Sequence, residues 1–148
     1  MATAPLVPQG TLNRVRCSIV VPNYTTLNIT APYMGRNFAT ITFEGDFTKL
    51  IGTGTGGVPS PEPYVMASIS VGILRTQALA SSWRTQWETQ GAIGAVSIFS
   101  DTAAFSEFDL SDCVIQHFDP SAYDGEDPVS RLTIMGIYNI NSAMWSLT

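Results

Sequence analysis

Charged side chains are scarce in this chain: Asp, Glu, Lys and Arg make up 13% of its 148 residues, where an ordinary soluble domain carries roughly 25%. His117 is the single histidine, and Cys17 and Cys113 are the two cysteines. A tetrahedral zinc site needs four such ligands and a thiol nucleophile needs a base beside it, so neither is expected. No G-x-S-x-G surrounds any serine, and Asp124-Gly125-Glu126-Asp127 lacks the ligand spacing of an EF-hand loop. We expect no enzyme, no metal and no cofactor. Two cysteines so far apart suggest no disulfide framework, and both are expected reduced. No stretch approaches the roughly 20 apolar residues of a membrane helix, and the opening MATAPLVPQGTLNR has no basic start followed by an apolar run. The expectation is a soluble protein made in the cytoplasm, in which Asn23-Tyr24-Thr25 and Asn28-Ile29-Thr30 match the glycosylation pattern by chance.

What is present reads as one mainly β domain over residues 1–148, since this length fills one core and falls short of two. In Tyr64 to Leu74, Val65, Ala67, Ile69, Val71 and Ile73 fall on one face, and Met66, Ser68, Ser70 and Gly72 on the other. The second face is nearly free of charge. Arg14 to Val21, Phe38 to Phe47, Ala92 to Ser100 and Arg131 to Ile140 read as further strands, with Ala39, Ile41 and Phe43 in phase in the second of these. Glu107 to Phe118 begins with Phe108 and Leu110 in phase and then switches to Cys113, Ile115 and His117, which predicts a bulge near Ser111 and Asp112. Six or seven strands are expected.

One helix interrupts them. Leu79, Trp83 and Trp87 recur every four residues between Thr76, a candidate N-cap, and Gly91, a candidate stop, so an indole-rich stripe is expected to pack on the sheet. A single helix among many strands predicts an α+β arrangement: an antiparallel β-sandwich or partly open β-barrel with one flanking α-helix.

Between Phe47 and Tyr64, Thr48, Lys49, Leu50 and Ile51 lead into Gly52, Gly54, Gly56 and Gly57, and Val58, Pro59 and Pro61 follow. The glycines formally match G-x-G-x-x-G, but prolines follow where a phosphate-binding loop needs a helix. Residues 48–63 are read as a long Gly/Pro-rich loop without lasting regular structure, suited to reaching a neighbouring subunit. Residues 1–12, with Pro5 and Pro8, are read as a second arm.

Net charge is −5, and no Lys or Arg occurs between Arg84 and Arg131. A protein that grips nucleic acid replaces counterions with basic side chains, so gripping DNA is disfavoured.

The opening GTLNRVRCSIVVP, the run SPEPYVMASISVGILRTQALASSWRTQWETQGAIGAVSIFSD and the ending LTIMGIYNINSAMW together resemble bacteriophage tail tube proteins, especially those of contractile-tailed phages. The resemblance spans most of the chain and rests on the order of its elements, with no chemical motif in it. It implies a virion protein that closes into hexameric rings, the strands of neighbouring copies joining into one shared barrel. The rings stack into a hollow tube for DNA ejection, a plan shared with the tube proteins of type VI secretion. It further implies that residues 48–63 contact the adjacent ring. Tail sheath, tape measure, baseplate and tail terminator proteins are the implied partners besides further copies of the chain. The lumen of such tubes is commonly acidic, so that DNA passes without sequence-specific binding. Glu44, Asp46, Asp101, Glu107, Asp109 and Asp112 are the candidate lumen residues. Two alternatives are another phage tail or head–tail connector ring protein, and a small-ligand-binding β-barrel carrier using the Trp83 and Trp87 region.

Overall fold

The computed structural model describes residues 16–101 and 105–145. Along the chain come β1 (Cys17–Val20), two 3₁₀ turns (Thr25–Leu27 and Ala31–Tyr33), β2 (Met34–Glu44), β3 (Thr48–Gly52), β4 (Gly57–Pro61), β5 (Tyr64–Leu74), α1 (Ala78–Thr89), β6 (Ala92–Ser100), β7 (Phe108–Asp119), β8 (Val129–Asn139) and α2 (Ser142–Trp145). Six strands form one antiparallel sheet in the order β1-β6-β7-β8-β5-β2, curved into a half-barrel, while β3 and β4 pair only with each other. The mainly β class with a partly open barrel is therefore correct, and it is one curved sheet that builds it.

Alternation decides the inner face. Val65, Ala67, Ile69, Val71 and Ile73 are all buried, and the register carries them across to β8, where Ile69 lies opposite Ile134 and Val71 opposite Leu132. Each such aliphatic contributes about 1.5–3 kcal/mol when removed from water. Gly136 sits in the same layer because a Cβ there would strike Cys113 Sγ and Leu110 Cβ. At one end of the half-barrel the filling turns aromatic: Phe43 meets Phe47, Phe108 and Tyr138 at ring-centroid distances of 5.5, 5.6 and 5.4 Å. The expected bulge in β7 is present, with register shifting between Ser111 and Val114 and Asp112 at φ 50°.

Several expectations need correction. Eight strands are described, because residues 48–61 form an antiparallel hairpin, from Thr48 opposite Pro61 to Gly52 opposite Gly57. Pro removes one N–H, which is fatal to a central strand but harmless where both strands are edges. The tip is tied by Thr53 N–H to Gly56 O at 2.8 Å and Gly56 N–H to Thr53 Oγ1 at 3.1 Å. In α1 the N-cap position falls on Gln77, not Thr76, and no side chain caps it. Gly91 does not stop the helix through a left-handed turn: Gln90 is already extended at φ −154°, and the Gly91 carbonyl accepts from Ile115 N–H at 2.8 Å, feeding the chain into the sheet. The helix stripe is also narrower than expected. Trp83 is fully buried and Leu79 half-buried against the core, but Trp87 is 37% exposed and only leans on Phe118, at 5.9 Å between centroids. Trp83 Nε1 is buried without a hydrogen-bond partner among the described residues. The expected strand from Arg14 begins at Cys17, with Arg14 and Val15 outside the described residues. The arm over residues 1–12 also lies outside them.

Candidate self-assembly surfaces

Four long strands, β2, β5, β8 and β7, make a continuous band whose outer face follows from the same alternation that fills the core. One row across it is Thr40, Ser70, Thr133 and His117, the next is Thr42, Ser68, Met135 and Val114, and the last is Glu44, Met66, Ile137 and Ser111. Each row spans about 14 Å at ordinary strand spacing. Only Glu44 carries a formal charge in these rows, while Val114 is 42% and Met66 36% exposed. Hydroxyls and apolar side chains thus share this outer surface.

The band is open along one side, β2, and at one end of the other, β7. Among the described residues, no strand lies beside the outer side of Thr40–Glu44 in β2. Past Ile115, β7 has β8 as its strand neighbour but has lost β6, whose pairing ends at Val114. The edge of β1 is better protected, because Ile19 and Ile29 exchange two backbone hydrogen bonds of 2.8 Å. Open edges invite pairing with another chain.

The hairpin is the second surface. Its first strand is exposed at every residue, with Leu50 at 76%, Ile51 at 54% and Val58 in β4 at 54%. Its base is held by Asn141, whose side-chain Nδ2 donates to Phe47 O at 3.0 Å and to Glu62 O at 2.8 Å. Asn141 takes φ 53° to do so, a conformation that Asn tolerates better than most residues. Lys49 faces Glu62 at 3.9 Å, an exposed pair worth little. Reading the sequence missed Asn141. The signal was there in an Asn directly after a strand, but its two acceptors lie 79 and 94 residues away.

The acidic candidates are all exposed and do not form one cluster. Asp101 is bound to Arg16, Nε to Oδ2 at 3.2 Å, which weakens its claim as a free carboxylate. Asp109 and Asp112 stand on either side of Ser111, at the far end of the row that begins with Glu44. Glu107 lies close to Asp109, whose hydrogen bond and negative charge raise Glu107 above the usual carboxylate range. Asp46 adjoins Glu44 in a shallow depression shared with Lys49 and Glu62. Burial pushes the Cys113 thiol up to about 11 and raises that of Cys17, so both favour the unreactive thiol form. Among the described residues, no group of His, Cys, Asp or Glu could hold a metal ion, and no helix is long and apolar enough to cross a membrane.

These features define a class: a mainly β half-barrel with apolar side chains exposed on a charge-poor sheet face and on a hairpin, and with strand edges left open. No family model matches the chain, and no curated protein matches it in sequence. Among solved structures, the fold is similar to that of the anti-feeding prophage tube terminating cap, with a TM-score of 0.51 and 14% identity over 92% of this chain and 96% of that one.

Proposed function

We propose that this chain is a structural subunit of a phage-type tail tube, closing into hexameric rings that stack into the hollow conduit for DNA ejection. The observation that carries the reading is the four-strand band, open along Thr40–Glu44 of β2 and, past Ile115, along the last residues of β7. Because β2 and β7 are separated by two strands of an all-antiparallel sheet, they run in opposite directions. The β2 edge of one copy can therefore meet the β7 edge of the next and continue the antiparallel alternation around a closed barrel, which leaves no edges. The outer rows then form part of the channel wall. With Glu44, Asp109 and Asp112 at the ends of those rows and a net charge of −5, DNA inside is repelled instead of held. The hairpin over residues 48–61 reaches the adjacent ring. The tube's place in a virion makes tail sheath, tape measure, baseplate and terminator proteins its neighbours.

The similarity to a tube terminating cap favours one second reading, a single ring that ends a tube. Electron microscopy of the purified protein separates the two: long uniform tubes support the tube subunit, single rings support the terminating ring, and a strict monomer at high concentration defeats both. Deleting Gly52 to Gly57 should leave folded subunits that close into rings and stack poorly.

A further inference from the structure

The open seam of the half-barrel holds an apolar groove of about 370 Å³, walled by Ala39 and Ile41 of β2, Ile98 and Phe99 of β6, and Phe105 and Phe108. Among the described residues, no charged side chain lines it. Phe99 is 37% and Phe105 45% exposed, so aromatic surface faces water at this seam. Small-molecule sites need placed polar groups to fix orientation, and here the wall offers Ser100, Ser106 and a Cys17 thiol already directed at Met34 Sδ, 3.5 Å away.

We propose that the groove receives the β3–β4 hairpin of a second copy, with Leu50, Ile51 and Val58 as the inserted side chains. The inference rests on the ring-and-stack reading and specifies the acceptor for its inter-ring contact. Three observations single out this occupant. First, from Leu50 to Pro61 the hairpin carries no charge, so entering a charge-free groove strands no ion. Second, the hairpin extends about 16 Å from its base, enough to enter a neighbour. Third, its base is fixed by Asn141 and by Glu62 N–H to Phe47 O at 3.1 Å, and no hairpin residue lines the groove of its own copy. The hairpin can therefore fill this seam only in another copy. Knob and groove occupy different parts of the surface, so the contact is heterologous and repeats from copy to copy instead of closing a dimer.

Mixing two variants that each carry one exposed cysteine tests this, Cys113 being buried. In a Cys17→Ser background, Leu50→Cys protein and Phe105→Cys protein are combined in equal amounts, allowed to assemble and oxidised. A disulfide-linked dimer containing one of each is expected in the mixture, in at least tenfold excess over a mixture in which Thr76→Cys replaces Phe105→Cys. Ile51→Cys with Phe99→Cys provides a second pair should either first variant fold poorly. Rings or tubes visible in the microscope without the mixed dimer overturn the docking while leaving the ring reading intact. A wild-type protein that forms neither overturns both.

Discussion

The ladder between β5 and β8 and the ladder between β3 and β4 are both antiparallel, yet they owe their order to different causes. The first runs from Tyr64 opposite Asn139 to Leu74 opposite Val129, and its Ile69 and Ile134 are completely buried. The second has five pairs and leaves Leu50 76% exposed. An isolated two-stranded hairpin is marginal in water, and here the strands are ordered by anchoring at the base. The sheet has spent its inner apolar face within the subunit; the hairpin still holds its apolar side chains in reserve. This difference separates residues that make the subunit fold from residues whose apolar side chains the fold leaves in water.

The sharpest way to break the comparison is to truncate both sides. Ile134→Ala should destabilise the subunit by about 2–5 kcal/mol in denaturant unfolding, because a buried aliphatic leaves a cavity behind. Equal costs for Ile134→Ala and Leu50→Ala would erase the distinction. Next in size is Asn141→Ala. Losing both amide hydrogen bonds to Phe47 O and Glu62 O should cost about 1–3 kcal/mol, and that cost should be local. Hydrogen exchange should speed up across residues 48–61 while the amides of β5 and β8 keep their protection. A global loss of protection would show that the hairpin and the sheet form one cooperative unit.

Periodicity made the sheet half of this comparison legible and left the hairpin half hidden. In β5 every alternate residue from Val65 to Ile73 is apolar, so its buried face could be read directly, and the parity switch in β7 located the bulge at Asp112. The same rules misread residues 48–61, since Gly and Pro signal breaks in a central strand and lose that force when both strands are edges. Leu50, Ile51 and Val58 were singled out as contact candidates on a supposed loop, and they stand instead on a paired hairpin that leaves all three exposed. The outer rows needed register as well as alternation: Ser68 is visibly opposite the core face, but only pairing places it between Thr42 and Met135. For the same reason no local pattern could reveal that Asp101 is tied to Arg16, or that the seam groove gathers Ile41, Phe99 and Phe105 from distant segments.

Leu50→Ser sharpens the contrast from the hairpin side. An exposed residue that supports no core should change subunit stability by about 0.5 kcal/mol or less, so unfolding curves should nearly overlay those of the parent. Assembly should respond strongly, with stacked rings giving way to single rings at matched concentration in sedimentation and microscopy. A variant that unfolds early yet still stacks would reverse the roles assigned to the two ladders.

The smallest expected effect concerns charge at the start of β7. Asp109, through a hydrogen bond and through like charge, raises Glu107 above the usual carboxylate range in the folded subunit. The folded state therefore holds this proton more tightly than the unfolded chain, whose glutamate titrates at about 4.3. By linkage, the pair's contribution to stability is fully present below that unfolded value and is lost as pH rises through the raised folded one. Glu107→Gln should remove this part of the slope, so that parent and variant differ in their stability change between acid and neutral pH in urea titrations. Identical slopes would mean that the two carboxylates do not sense each other. In the ring proposed above, each copy would add its own Glu107 and Asp109, and like charge brought close would deepen the same preference. Mildly acidic buffer should then favour assembly of the parent, and Glu107→Gln should flatten that dependence, whereas Leu50→Ser, which adds no charge, should leave it in place at the level of ring closure.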